Sequence, residues 1–278
     1  MHHSDFVHLH LHTQFSLLDG AIRLDPLFEK AKEYKMPAIA MTDHGNLYGA
    51  VDFYQKAHKY GIKPIIGCEV YIAPKSRFNK SGARGASESA YHLILLVKNQ
   101  KGYTNLCKLV SSGHLEGFYY KPRIDMEILK EHNEGLIALS ACLHGQIPHL
   151  INRGKQEDAI SLAREYSTIF DKDRFFLELQ ENSIADQKRV NNGLIEISKD
   201  VGLPLVATND CHYLNREDAR AHELLLCIQT GKTIQDEKRM RFTGDDFYLK
   251  SADEMKNAFS YAPEAIRNSI EIPASNNL

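Results

Sequence analysis

The stretch FVHLHLHTQFSLLDG, residues 6–20, sets His8, His10 and His12 at alternating positions and follows them with Asp19. Residues two apart on a β-strand share a face, so the three imidazoles are expected to form a row. The same kinds of side chain recur down the chain: Asp43 and His44 in MTDHGN, Glu69 in GCEVY, His92 in YHLILL, Cys142 in LSACLHG, and Asp210 and His212 in ATNDCHY. Each has a plain explanation when taken alone: a capped histidine, a core cysteine, a turn. Their convergence would not. Imidazole, carboxylate and thiolate are the ligands of Zn²⁺ and Mn²⁺, and a carboxylate can bridge two ions, so together they point to a multinuclear metal site.

Convergence requires a frame. Apolar, β-rich runs at 6–11, 38–42, 64–72, 92–97, 136–140, 175–180 and 204–208 predict seven strands. Helical spacing predicts helices at 26–35 (opened by Asp25 and Pro26), 47–60 (ended by Gly61), 101–112, 155–170 and 185–201 (ended by Gly202). Alternating strands and helices imply a parallel, barrel-like α/β fold. On that frame His10, His12, His44, Glu69, Cys142, Asp210 and His212 fall at or near strand C-termini, the rim where parallel barrels assemble active sites. His92 opens its strand instead, which implies an irregular connection there. Residues 74–90, rich in Ser, Gly, Lys and Arg, form the clearest loop. The barrel is expected over 1–213, with 214–278 a mostly helical segment that completes the domain or leads onward.

Composition narrows the partners little. Among 278 residues, 34 Lys and Arg nearly balance 36 Asp and Glu, so no global field selects nucleic acid or an anionic membrane. No run of 18 apolar residues occurs and Met1 opens a polar segment, which argues against a membrane span or signal peptide and for a cytoplasmic protein. Five cysteines at irregular spacing make no disulfide framework; Cys68, Cys107 and Cys227 are expected in the core. Cys211, between two candidate ligands, should face away from them.

HLHLHTQFSLLDG, TDHGN, GCEVY, YHLILL, SACLHG and TNDCHY, in this order, resemble the polymerase and histidinol phosphatase (PHP) domain. More narrowly the chain resembles the N-terminal PHP domain of bacterial replicative DNA polymerase III alpha subunits, through GFYYKPRID at 117–125 and AHELLLCIQTGKT at 221–233. The resemblance implies a distorted seven-stranded (β/α)7 barrel holding two or three divalent ions, zinc or manganese, with magnesium and iron as alternatives. It carries the ligand positions over to His10, His12, Asp19, His44, Glu69, His92, Cys142, Asp210 and His212. By the same analogy His10, His12 and Asp210 hold one ion, His92 and Cys142 a second with Glu69 bridging, and Asp19, His44 and His212 a third. His8 matches no ligand position, so packing or support of a ligand is expected for it.

Such ions activate water and polarise phosphoryl oxygens, so the implied chemistry is phosphoester hydrolysis, with Glu69, Asp210 and His12 at its centre. The implied substrate is the 3′ end of single-stranded DNA and the implied activity 3′–5′ exonuclease proofreading. Lys75, Arg77, Lys80 and Arg84, with no acidic residue among 75–84, and Lys121 and Arg123 are candidates for backbone phosphates. The alternatives are a silent module docking a separate proofreading subunit, or a free-standing phosphatase acting on a small phosphomonoester. No polymerase palm is recognisable, so the chain is expected to be a piece of a DNA-directed DNA polymerase, with the polymerase body and other replisome subunits as partners.

Overall fold

In a computed structural model, which describes residues 3–82, 89–171 and 173–276, seven strands form one curled sheet in the order β1-β2-β3-β5-β6-β7. β1 (Ala38–Met41) runs parallel to β2 (Lys63–Ile72). β3 (Tyr91–Val97) is antiparallel to both β2 and β5 (Leu136–Leu139). β6 (Phe175–Gln180) and β7 (Leu205–Thr208) continue in parallel from β5. The two-residue β4 (Arg123–Ile124) adds to the end of β2.

Two expectations change here. Residues 6–11 form no regular strand, and β4 takes the seventh place. The N-terminal segment nevertheless closes the sheet into a barrel: its carbonyls at His8 and Leu11 accept from Ala40 and Thr42 beside β1. On its other side His12 donates to the Cys211 carbonyl, and Cys211 to that of His10, beyond β7. The reason for the irregularity is a change of phase at His10, where the chain bends. Val7 and Leu9 belong to the inner apolar cluster and Phe6 and Leu11 to the outer one, yet His10 and His12 face inward. The three histidines therefore form no row. His8 is turned away, its Nε2 2.8 Å from the Lys250 carbonyl and its Nδ1 3.4 Å from Cys211 Sγ.

Helices cover the outside: α1 (Leu24–Glu33), α2 (Ala50–Tyr60), α3 (Gln100–Leu115), α4 (Met126–Glu131), α5 (Gln146–Asn152), α6 (Gln156–Phe170) and α7 (Ala185–Val201). α2 and α7 stop at Gly61 (φ 71°) and Gly202 (φ 74°), left-handed positions where a Cβ is unfavourable. α1 starts two residues earlier than its proline suggests, because Pro26 fits the first helical turn, where its missing N–H has no partner to lose.

Beyond β7 lie a 3₁₀ turn (Arg216–Asp218), α8 (Ala219–Thr230), α9 (Ala252–Ala258) and α10 (Pro263–Ala274). α10 packs along β7, and Ile272 joins the inner cluster with Val7, Leu9, Ala40, Ile65, Leu96 and Val206. Lys63 Nζ donates to the Pro273 carbonyl, pinning the helix end to β2.

The inward faces of the strands change character from bottom to top. Period-two spacing puts Ile65 and Glu69, Ile94 and His92, Phe176 and Glu178, and Val206 and Thr208 on common faces, apolar below and ionisable above. β3 runs backwards, so its first residues, not its last, reach the upper rim; Tyr71 pairs with His92 across the ladder. The antiparallel β2–β3 pair is what brings His92 to the other candidate ligands.

Candidate metal centre

At the upper rim the nine expected ligands come together. Glu69, 1% exposed, lies at the centre with its two oxygens facing different groups. Oε1 is 2.7 Å from His44 Nδ1 and 3.0 Å from His92 Nδ1. Oε2 is 3.2 Å from His10 Nε2 and 3.8 Å from His12 Nε2. Asp210 Oδ1 stands 3.1 Å from His10 Nε2 and 3.2 Å from His12 Nε2. Asp19 Oδ2 is 3.2 Å from His44 Nε2, its Oδ1 3.8 Å from His212 Nε2. Cys142 Sγ is 3.7 Å from His92 Nδ1.

The backbone is shaped to this arrangement. Asp210 sits at φ 53°, a left-handed conformation that Asp tolerates, at an expense of about 1 kcal/mol. The turn aims its carboxylate inward while Cys211, fully buried, faces the outer core. Cys68 likewise lies in the outer core, its Sγ 3.3 Å from the Asp43 carbonyl.

Burial and neighbours set the charges. Burial alone would depress every imidazole here. Against it, the Glu69 and Asp19 carboxylates raise His44 to about 10, and Glu69 with Cys142 raises His92 to about 9. Asp210 and Glu178 likewise hold His10 well above its ordinary value. His12 goes the other way, to about 3, under burial and the neighbouring His44 and His212. Glu69 and Asp19 overcome their burial and stay well below the usual carboxylate range, through His92 and His44 for Glu69 and through His222 and His44 for Asp19.

Whether these residues fit metal ions is tested by their unmatched atoms. Asp19 Oδ1, His44 Nε2, Asp210 Oδ1 and His222 Nε2 are buried and lack hydrogen-bond partners. They lie 3.1–3.8 Å from neighbouring candidate ligand atoms without forming hydrogen bonds to them. Leaving such atoms unpaired in a protein interior costs roughly 1–3 kcal/mol each. A cation among them removes that cost, and the donor set, imidazole, carboxylate and thiolate, suits a transition metal. The residues fit.

The nitrogens facing away from the cluster are also held. His10 Nδ1 is 2.7 Å from Glu178 Oε1, a carboxylate fixed in turn by Gln180 Nε2 (2.9 Å) and Thr208 Oγ1 (2.5 Å). His12 Nδ1 is 3.1 Å from Ser16 Oγ, whose hydroxyl donates to Asp43 Oδ1 at 2.6 Å. His212 Nδ1 donates to the Asp210 carbonyl at 2.8 Å. Each contact leaves Nε2 free to bind an ion. Glu178→Gln is therefore expected to weaken ion binding by about 10- to 100-fold with no loss of fold, measured by competition with a chelator.

Sequence reasoning missed Glu178, Ser16 and His144, and it named Asp43 without its role of holding Ser16. Glu178 was legible: in FFLELQ the polar residues 178 and 180 fall on one face of an apolar strand. The bond between Ser16 and Asp43 carries no spacing signal, because it joins separate loops. His144, 3.9 Å from Cys142 Sγ and stacked on His92, joins them in a further cluster of metal-capable side chains, and only the turn after β5 brings it there.

The six basic candidates separate. Lys121 Nζ lies over the Tyr71 ring (5.1 Å), and that ring is 5.2 Å from His92, so this lysine borders the site. Lys75 and Lys80 are exposed on the β2–β3 loop. Arg77 is engaged with Glu116 (2.7 Å), Asp125 (3.0 Å) and Glu127 (3.0 Å), and Arg123, 2% exposed, donates to the carbonyls of Gly117 and Asn79. Both organise their own loops. Arg84 lies outside the described residues. A cavity of about 220 Å³ opens beside Cys142 and Asp210, walled by Asn182, Arg241 and Phe247.

Comparison with known proteins gives the family of the chain. Residues 8–182 match the PHP domain family. The chain is 49% identical over 97% of its length to DNA polymerase III subunit alpha of Borreliella burgdorferi, and 50% identical over 96% to that of Thermus aquaticus. It spans 23% and 22% of those two relatives. Among solved structures, a two-domain protein from Bacteroides vulgatus, whose description names a predicted PHP-like metal-dependent phosphoesterase, aligns over 94% of this chain and 62% of its own. That alignment has 15% identity and a TM-score of 0.46. Among the described residues no helix is long and apolar enough to cross a membrane. The chain belongs to the PHP domain family.

Proposed function

We propose that the chain is a metal-dependent phosphodiester hydrolase that removes nucleotides from the 3′ end of single-stranded DNA, within a longer DNA-directed DNA polymerase. The observation that carries this reading is the buried Glu69, whose two oxygens each face a separate pair of imidazoles. Two or three divalent ions, zinc or manganese, would be held by His10, His12 and Asp210, by His92 and Cys142, and by Asp19, His44 and His212, with Glu69 between the first two sets. Ions bound in this way acidify water and offset phosphoryl charge.

The chain's own residues do the rest. Glu178, Ser16 and Asp43 lock the imidazoles, so no reorganisation is needed when substrate arrives. Lys121 at the rim and Arg241 beside the cavity offer positive charge to backbone phosphates. Lys75 and Lys80 extend that field along the loop. The similarity to alpha subunits supports DNA as substrate, a polymerase body and replisome subunits as partners, and the cytoplasm as location. Residues 214–276 complete the domain in this reading, supported by Ile272 in the inner cluster.

The test compares release from 3′-labelled single-stranded DNA with hydrolysis of p-nitrophenyl phosphate, with Zn²⁺, Mn²⁺ or Mg²⁺ supplied. Preferential, metal-dependent 3′ release is expected. Release from p-nitrophenyl phosphate alone would indicate a phosphomonoesterase, and no release from either a docking module.

A further inference from the structure

His222 belongs to neither the matched family span nor the nine expected ligands, yet it points into the same centre. It stands on α8, is 2% exposed, and its Nε2 lacks a hydrogen-bond partner. That nitrogen lies 3.5 Å from Asp19 Oδ1, itself buried and unpartnered. At 3.5 Å the two atoms stand farther apart than a normal hydrogen bond allows.

Two further imidazoles meet the same carboxylate. His212 Nε2 is 3.8 Å from Asp19 Oδ1, with its Nδ1 occupied by the Asp210 carbonyl. His44 Nε2 is 3.2 Å from Asp19 Oδ2, with its Nδ1 occupied by Glu69. Three imidazole nitrogens thus surround one carboxylate. Ligand atoms at about 2.0–2.1 Å from a tetrahedral ion stand roughly 3.3–3.4 Å apart, close to the spacing of His222 from Asp19. The His222 ring is held edge-on to His212 and to Phe242, at centroid distances of 5.5 and 4.8 Å. A cavity of about 530 Å³, lined by His222, Arg220 and Arg241, lies beside the ring.

We infer that His222 is a metal ligand, completing with Asp19, His44 and His212 the coordination of one ion at the rim. The inference rests on the metal-centre reading but not on the hydrolytic activity. It gives the helix at 219–230 a role in the site: α8 delivers a side chain that the barrel itself does not supply.

The test uses the purified 278-residue chain reconstituted with Zn²⁺. Elemental analysis should find three ions in the wild type and two in both His222→Ala and His222→Gln, with circular dichroism showing each folded. Anomalous diffraction from wild-type crystals should place one zinc within about 2.0–2.3 Å of His222 Nε2. If the variants do not fold, that distance decides alone. Three ions in a folded variant, or no zinc within bonding distance of Nε2, would overturn the inference. A wild type that binds no ion overturns the metal-centre reading as well. A wild type that holds three ions, loses one on substitution and releases no nucleotide leaves His222 a ligand and overturns only the hydrolase.

Discussion

Glu69→Gln is expected to lower 3′-nucleotide release from single-stranded DNA by roughly 10³-fold or more while the chain stays folded. Glu69 is the carboxylate against which His10, His44 and His92 are placed, at 3.2, 2.7 and 3.0 Å. An amide keeps the shape but removes the charge that holds those imidazoles in register, and it offers one of them an N–H in place of a lone pair. Ions held on both sides of this residue would then lose a shared anionic ligand. The fold should survive, because the Glu69 backbone remains paired with Ile94 and Gly45 regardless of its side chain. Cys68→Ala is the matched control: its side chain lies in the outer core, so it costs about 1 kcal/mol of stability and little activity. Wild-type release by folded Glu69→Gln would remove Glu69 from its central role.

The frame of this site was legible in the sequence because it depends on local periodicity. α7, Ala185–Val201, falls where apolar spacing and Gly202 put it, and β6 and β7 follow their β-branched and aromatic runs. The candidate ligands at the rim were legible because a strand's last residues reach the rim in a parallel barrel whatever the loops do. His92 is the informative exception: its place at the start of a strand implied an irregular connection, and β3 indeed runs antiparallel to β2. What stayed hidden depends on phase or on long-range contact. The bend at His10 reverses the alternation within 6–12, which no propensity marks, so His8 turned out of the row. Arg77 and Arg123 look like phosphate ligands in a basic stretch, but Asp125 and Glu116, which hold Arg77, and the Asn79 carbonyl, which holds Arg123, lie in segments that only folding brings near. His222 is ten residues past His212 on a separate helix, a separation that carries no signal.

Removing the ions should lower the thermal midpoint by roughly 10 °C or more and reverse its pH dependence. An ion present at about a thousand times its dissociation constant contributes about 4 kcal/mol per site, and each kcal/mol moves the midpoint of a chain this size by about 2 °C or more. The sign of the pH effect follows from the raised histidines. In the stripped chain His44 is held at about 10 and His92 at about 9 by carboxylates that override burial, against an ordinary value near 6.5. Their protonated forms stabilise the stripped fold fully below pH ~6.5, and that contribution is lost as the pH rises towards 9–10. Glu69 and Asp19, held low, contribute above the usual carboxylate range and lose it only in acid. Ions need the same imidazoles unprotonated, so loading gains strength as the pH rises through this window. Midpoints of stripped and loaded chain should therefore diverge between pH 6.5 and 9, the first falling relative to the second. Zn²⁺ titrated into the stripped chain at pH 7.5 should release about two protons or more, read by calorimetry in buffers of different ionisation enthalpy. Parallel midpoint curves with no proton release would mean that His44 and His92 are neutral before any ion arrives, and that the Glu69 cluster is not poised as its distances imply.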